Sequence, residues 1–322
     1  MTWNALTPGA LIAVIAPAGP AQPQQVDRVE PLLSAQGWRV RLYPSCRQAD
    51  RYLAGSDAQR LADLHAAFAD PEVQAVWCLR GGYGCGRLLE RVDGELLRQH
   101  DKPFVGYSDI TALHALRSRL GLWGLHGPML SSDLIQPERQ DDGRAVFEML
   151  RGGLVRGTRW APALEPELFG LGQGLGQGLG QGLGQHPAGT QGVVEGPLVG
   201  GNLSLIAAHV GTPYQQQVAD AILFLEEVAE EPYRIDRMMV QLRQSGMLDA
   251  AAGFLIGRFS QAESPRRVLE EFLAPLGKPI VAGWPAGHGA PHFTLPLGPR
   301  CRLDAAAGTL TLMQDVILPP SP

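Results

Sequence analysis

No run of 18 or more apolar residues occurs in this 322-residue chain, so no transmembrane helix is expected. Cysteine is scarce. The four present, Cys46, Cys78, Cys85 and Cys301, form no CxxC pair and match no zinc-site spacing. Positive charge is not in excess either: a net charge of −5 gives no basic field for nucleic acid or an anionic membrane. A signal peptide is not expected either. The apolar run Leu11–Ala16 has no basic flank and leads into Pro17-Ala18-Gly19-Pro20, so it reads as a first strand and turn. These absences point to a cytoplasmic protein with no nucleic-acid partner and no membrane partner. Cys78, inside an apolar run, reads as a buried structural thiol. Cys85 lies in a glycine-rich turn where nothing nearby lowers its pKa, so a reactive thiol is not the expected reading.

Hydrophobic residues make up 45% of the chain and charged residues 18%, the balance of a globular protein. The length suggests two domains. In the first half, Leu11–Ala16, Val40–Tyr43, Ala75–Leu79, Phe104–Tyr107 and Leu122–Leu125 read as short buried strands. Between them, Gln24–Gln36, Asp57–Ala69, Gly86–Leu97 and Ile110–Leu120 carry helical spacing. Such alternation predicts a parallel sheet flanked by helices, with sites at the carboxyl ends of its strands. Gly170–Gln185 is four tandem Gly-Leu-Gly-Gln copies, too glycine-rich for a helix, and reads as a flexible insert.

After Gly192 a second region begins. Gly196–Asn202 reads as a turn-rich approach to a short helix. Ala221–Leu225, Phe254–Ile256 and Pro279–Ala282 read as strands, Pro232–Ser245 as a helix, and Cys301–Leu303 with Thr309–Leu312 as a terminal hairpin. The expected organisation is an N-terminal α/β domain at 1–155, a linker with the repeat at 156–191, and a smaller C-terminal mixed α/β domain at 192–322.

The richest segment is Val105-Gly106-Tyr107-Ser108-Asp109-Ile110-Thr111. An apolar strand stops at a glycine, a serine follows, and a helix begins. A serine there sits at the positive end of a helix dipole, beside backbone N–H groups. One reading is helix capping, for which Ser and Asp are preferred. The other is a nucleophile that exposes its hydroxyl next to oxyanion donors.

A nucleophilic serine needs a base, and the base needs an orienting group. Among eight histidines, His65, His114 and His209 fall in helical patterns, His100 ends a polar run, His186 abuts the repeat, and His126 follows a strand. His288 stands apart, in the glycine-flanked loop Gly283-Trp284-Pro285-Ala286-Gly287-His288-Gly289. His288 and His292 have a zinc-like i, i+4 spacing. Gly289, Ala290 and Pro291 between them preclude a helix, so no metal site is expected. For the acid, Glu226 follows the buried run Ile222–Leu225. Its neighbour Glu227 is expected on the opposite face, because side chains alternate along a strand.

The set Gly106-Tyr107-Ser108-Asp109, Leu225-Glu226-Glu227, Pro232-Tyr233-Arg234-Ile235-Asp236-Arg237 and Gly287-His288 with Leu295-Pro296-Leu297-Gly298 resembles the LD-carboxypeptidase family of serine peptidases. Arg80-Gly81-Gly82-Tyr83-Gly84 and Gly200-Gly201-Asn202-Leu203 also match its pattern, and the likeness runs from about residue 9 to 313. The resemblance implies Ser108 as nucleophile, His288 as general base and Glu226 as the orienting acid. It implies an oxyanion hole from the backbone N–H groups of Asp109 and Gly82. Arg80, Asn202 and Arg234 are the implied substrate-binding residues. The implied reaction removes the terminal D-alanine of murein tetrapeptide at an LD peptide bond, in a homodimer with no cofactor. Two alternatives remain at this stage: a microcin-type self-immunity hydrolase acting on a peptidyl-nucleotide, and a catalytically silent wall-peptide binder.

Overall fold

The computed structural model describes residues 1–162 and 192–320. The Gly-Leu-Gly-Gln repeat lies outside the described residues. The chain divides into two compact units, the first formed by Met1–Val155, Phe293–Leu297 and Asp315–Pro322, the second by Arg156–His292 and Gly298–Gln314.

The first unit is built on a six-stranded sheet in the order Leu295–Leu297, Gly124–His126, Phe104–Gly106, Val73–Cys78, Leu11–Ile15, Arg39–Leu42. The last five strands run parallel, and Leu295–Leu297 pairs antiparallel to Gly124–His126. All five residues of Leu-Ile-Ala-Val-Ile are buried, as expected for a parallel strand covered on both faces. The helix Asp57–Ala69 has the bounds its spacing predicts. Ser56 starts it, its side chain accepting a bond from the Gln59 N–H at 3.2 Å.

Two expected helices divide. Gln24–Gln36 becomes Pro23–Asp27 and Val29–Ser34, because Pro31 has no N–H to offer the Asp27 carbonyl. Gly86–Leu97 becomes two 3₁₀ turns and a helix at Gly94–Gln99. That helix is started afresh by the Asp93 carboxylate, which accepts from the Glu95 and Leu96 N–H groups at 3.0 Å.

The second unit has a seven-stranded mixed sheet. Ile280–Ala282, Gly253–Ser260, Ile222–Val228 and Val193–Asn202 run parallel, followed by antiparallel Arg300–Asp304, Thr309–Leu312 and Arg159–Trp160. The helices Pro232–Gln244 and Leu203–Ala208 pack Ile235, Met239, Leu242, Leu203 and Ile206 with the sheet residues Leu223, Leu225 and Phe254 in one core. Each unit is thus an α/β layer structure of the class expected. One reading changes: Gly196–Asn202 is the end of a ten-residue strand, not a turn-rich approach. A β-carbon at Gly196 or Gly200 would collide with the Asp220 or Phe224 carbonyl oxygen of the neighbouring chain segment. These glycines permit close backbone approach inside a sheet, where sequence reading takes them for turns. Among the described residues, no helix is long and apolar enough to cross a membrane.

Candidate active site

In the first unit, three loops leave the carboxyl ends of adjacent parallel strands and meet. The Gly19 N–H donates to the Gly81 carbonyl at 3.0 Å. A β-carbon at Gly81 would lie 2.8 Å from both Cβ and Oγ of Ser108, so only glycine lets this turn approach the serine. Ser108 follows Tyr107 directly after the strand Phe104–Gly106 and opens a 3₁₀ turn, Ser108–Ile110, which leads into the helix Thr111–Arg119. Its φ is +62°, in the left-handed region that non-glycine residues avoid. Neither the 3₁₀ turn nor the helix receives a side-chain cap bond, so the capping reading of Ser108 fails. Ser108 is half-buried and held in a strained turn at a strand end.

The surrounding residues are tied to that turn. Asp109 is buried, and its Oδ2 accepts from the Cys85 N–H at 2.7 Å. Gly82 has φ +110° and lies against Gly19. Arg80 Nη1 donates to the Pro20 carbonyl at 2.8 Å. Behind the strand, His114 is buried and its Nε2 bonds the Gly106 carbonyl at 2.9 Å. Burial, above all, pushes the His114 pKa down to about 3, so the ring is neutral and Nε2 carries the proton that the carbonyl accepts. His114 is therefore a support for the strand end, a role its place in a helical pattern did not reveal.

In the second unit, Glu226 and Glu227 are the fifth and sixth residues of the strand Ile222–Val228, and both are buried. They part company as strand alternation requires. Glu226 Oε2 lies 2.8 Å from His288 Nδ1. Glu227 instead accepts from Asn202 Nδ2 at 2.8 Å and from the N–H groups of Ser204 at 2.7 Å and Val228 at 2.9 Å. Burial, and then the negative charge of Glu226, push the Glu227 pKa up. Asn202 caps the helix Leu203–Ala208, its Oδ1 accepting from the Leu205 N–H and the Ser204 hydroxyl. Arg234 is exposed, with Nε donating to the Tyr233 hydroxyl at 3.0 Å.

The loop that carries His288 is shaped by three glycines with positive φ, Gly283, Gly287 and Gly289. A β-carbon at Gly287 would meet Glu226 Oε2 at 2.7 Å. The Ser260 hydroxyl holds the His288 carbonyl at 2.8 Å. With Nδ1–H given to Glu226, the Nε2 of His288 is the basic nitrogen.

The other candidates sort plainly. His65 Nε2 accepts from the Asp93 N–H and His209 Nδ1 bonds the Leu205 carbonyl, both local ties. All four cysteines are buried. Burial pushes Cys46 and Cys301 up to about 12 and Cys78 and Cys85 well above the usual thiol range, so none is a poised thiolate. Among the described residues, no group of three or more His, Cys, Asp or Glu side chains could hold a metal ion.

A strained serine beside a glycine turn and an imidazole fixed by a buried carboxylate are the side-chain types of acyl-transfer hydrolases. The chain matches the LD-carboxypeptidase N-terminal domain over residues 12–127 and the LD-carboxypeptidase C-terminal domain over residues 195–303. It belongs to the LD-carboxypeptidase family. It is 37% identical to the protein named probable murein peptide carboxypeptidase of Bacillus subtilis (strain 168), covering 97% of this chain and 94% of that one. It is 33% identical to murein tetrapeptide carboxypeptidase of Pseudomonas aeruginosa, covering 94% and 95%. The crystal structure of muramoyltetrapeptide carboxypeptidase from Oxalobacter formigenes is similar with a TM-score of 0.79 and 30% identity, covering 96% of this chain and 100% of that one. MccF, solved with glutamyl sulfamoyl guanosine, shares the fold with a TM-score of 0.82 at 20% identity, covering 98% and 99%.

Proposed function

We propose that this chain is a serine carboxypeptidase that cleaves the LD peptide bond of murein tetrapeptide and releases the terminal D-alanine. Ser108 is the nucleophile, His288 the general base and then acid, and Glu226 the carboxylate that orients the imidazole. The observation that carries the reading is the 2.8 Å bond from His288 Nδ1 to the buried Glu226. It selects the tautomer whose Nε2 can take a proton, and it places a negative charge against the imidazolium that forms. In this reading the proton of the Ser108 hydroxyl goes to Nε2 as Oγ attacks the scissile carbonyl. It is then given to the leaving D-alanine amine, and water repeats the sequence to release the tripeptide. The backbone N–H groups of Asp109 and Gly82 are the oxyanion donors, and Arg80, Asn202 and Arg234 the candidates for substrate binding.

The substrate class rests on relatives at 33% and 37% identity that are named for murein peptides. The likeness to MccF, at 20%, supports the fold alone. A fluorophosphonate probe tests the chemistry apart from the substrate. Labelling of the wild type and not of S108A is expected, and equal labelling of both contradicts the assignment. Cleavage of an aminoacyl-sulfamoyl nucleotide in preference to murein tetrapeptide would overturn the substrate class and leave the triad standing.

A further inference from the structure

We propose that the Asp109 side chain is a positioning residue for the oxyanion hole, its carboxylate tying the glycine turn Gly81–Gly84 to the turn that carries Ser108. This rests on the reading above, in which Ser108 attacks and the Asp109 and Gly82 amides receive the oxyanion. The turn cannot hold itself. Gly81, Gly82 and Gly84 have no side chains, and Gly82 and Gly84 sit at φ +110° and +138°. Left alone, such a segment is the most mobile kind of backbone.

Two buried side chains grip its end. Asp109, 1% exposed, accepts the Cys85 N–H at 2.7 Å. Burial, above all, and the Asp109 charge push the Cys85 thiol well above the usual thiol range, so it stays protonated beside this carboxylate. On the other side, the fully buried Arg60 donates through Nη1 to the Gly84 carbonyl at 2.9 Å and to the Pro17 carbonyl. At its front the turn lies so close to Ser108 that even a β-carbon on Gly81 would reach Oγ at 2.8 Å. Any drift of Gly81–Gly84 is therefore felt at the reacting oxygen. Oxyanion donors help only when they are already in place, so the residue that fixes their spacing controls the rate without touching substrate. One residue thus serves twice, through its amide as donor and through its carboxylate as the clamp on the other donor's loop. Cys85 gains a role as the group clamped, not as a nucleophile.

The test uses D109L, which fills the same space without an acceptor, D109A, and D109N, whose amide oxygen can still accept the Cys85 N–H. Wild type and S108A run beside them on murein tetrapeptide. D109L or D109A is expected to lose about 30–300-fold in kcat with KM changed less than about threefold, in the range of a lost or misplaced oxyanion donor. D109N is expected to stay within about tenfold of wild type. In hydrogen–deuterium exchange, the segment 81–88 is expected to exchange at least about tenfold faster in D109L, with the strand Phe104–Gly106 unchanged. The proposal is overturned if folded D109L or D109A keeps kcat within about threefold of wild type, if D109N is no better than D109A, or if exchange at 81–88 does not change. Should the wild type leave the tetrapeptide intact, the murein reading fails, and the exchange measurement still decides the clamp.

Discussion

Two adjacent glutamates with opposite duties give a sharp test of the site. Glu226 holds His288 Nδ1 at 2.8 Å. Glu226→Gln keeps the shape, removes the charge that stabilises imidazolium, and can turn an amide N–H towards Nδ1. Loss of a triad acid costs about 10³–10⁴ in kcat, or about 4–5 kcal/mol of transition-state stabilisation. KM is expected to stay within a few-fold, because the imidazolium exists only in the transition state and intermediates. Glu227 spends both oxygens on three donors, Asn202 Nδ2 and the N–H groups of Ser204 and Val228. Glu227→Gln has one oxygen for them and points an amide N–H at a backbone donor. A buried donor left unpaired costs about 1–3 kcal/mol. For units of this size that lowers the melting temperature by about 2–12 °C. Its kcat is expected to fall less than about tenfold, since the group lies outside the proton path. Steady-state kinetics on one LD-peptide substrate and thermal melts, run on both variants, separate the two effects. A large kcat loss in Glu227→Gln with a mild one in Glu226→Gln would refute the assignment. So would a melting loss in Glu226→Gln that fully accounts for its lost activity.

Three further outcomes follow from the same geometry. Ser108→Ala is expected to lose on the order of 10⁶ in turnover, and a variant that retains more than about a hundredth of the wild-type rate would show that another group attacks. Gly287→Ala places a β-carbon against Glu226 Oε2, so kcat is expected to fall about 10²-fold through a misplaced carboxylate, and unchanged kinetics would contradict the close packing seen there. His114 is neutral in the folded chain with its pKa down at about 3, while the unfolded chain binds a proton near 6.5. Stability from this group is therefore complete above about pH 6.5 and falls by about 1.4 kcal/mol per unit as pH drops below it. His114→Gln keeps a donor for the Gly106 carbonyl but cannot titrate, so between about pH 6 and 4.5 its denaturation curves are expected to shift less with pH than the wild type's; parallel shifts would contradict the buried neutral ring.

Much of the first unit was legible because its signals are local. Leu11–Ile15 is apolar without interruption, as a doubly covered strand requires, and Asp57–Ala69 carries its helical spacing locally. The opposite faces taken by Glu226 and Glu227 follow from strand alternation alone. What stayed hidden depends on partners far along the chain. The strand at Val193–Asn202 carries glycines because Asp220 and Phe224 press against it, and no local rule reports that. Leu295–Leu297 joins the first unit's sheet although it follows His288 in sequence. The Asp109–Cys85 bond spans 24 residues, and the His114–Gly106 bond depends on a helix folding back over its strand. The left-handed φ of Ser108 is likewise set by its surroundings, since serine has no preference for it.

The most direct test of the central claim is mass spectrometry of murein tetrapeptide after incubation with the wild-type protein and with S108A. Loss of one alanine from the carboxyl end, leaving the tripeptide, is expected with the wild type, and an intact substrate with S108A. An intact tetrapeptide in both samples would contradict the proposed activity. Equal cleavage in both would contradict Ser108 as its nucleophile.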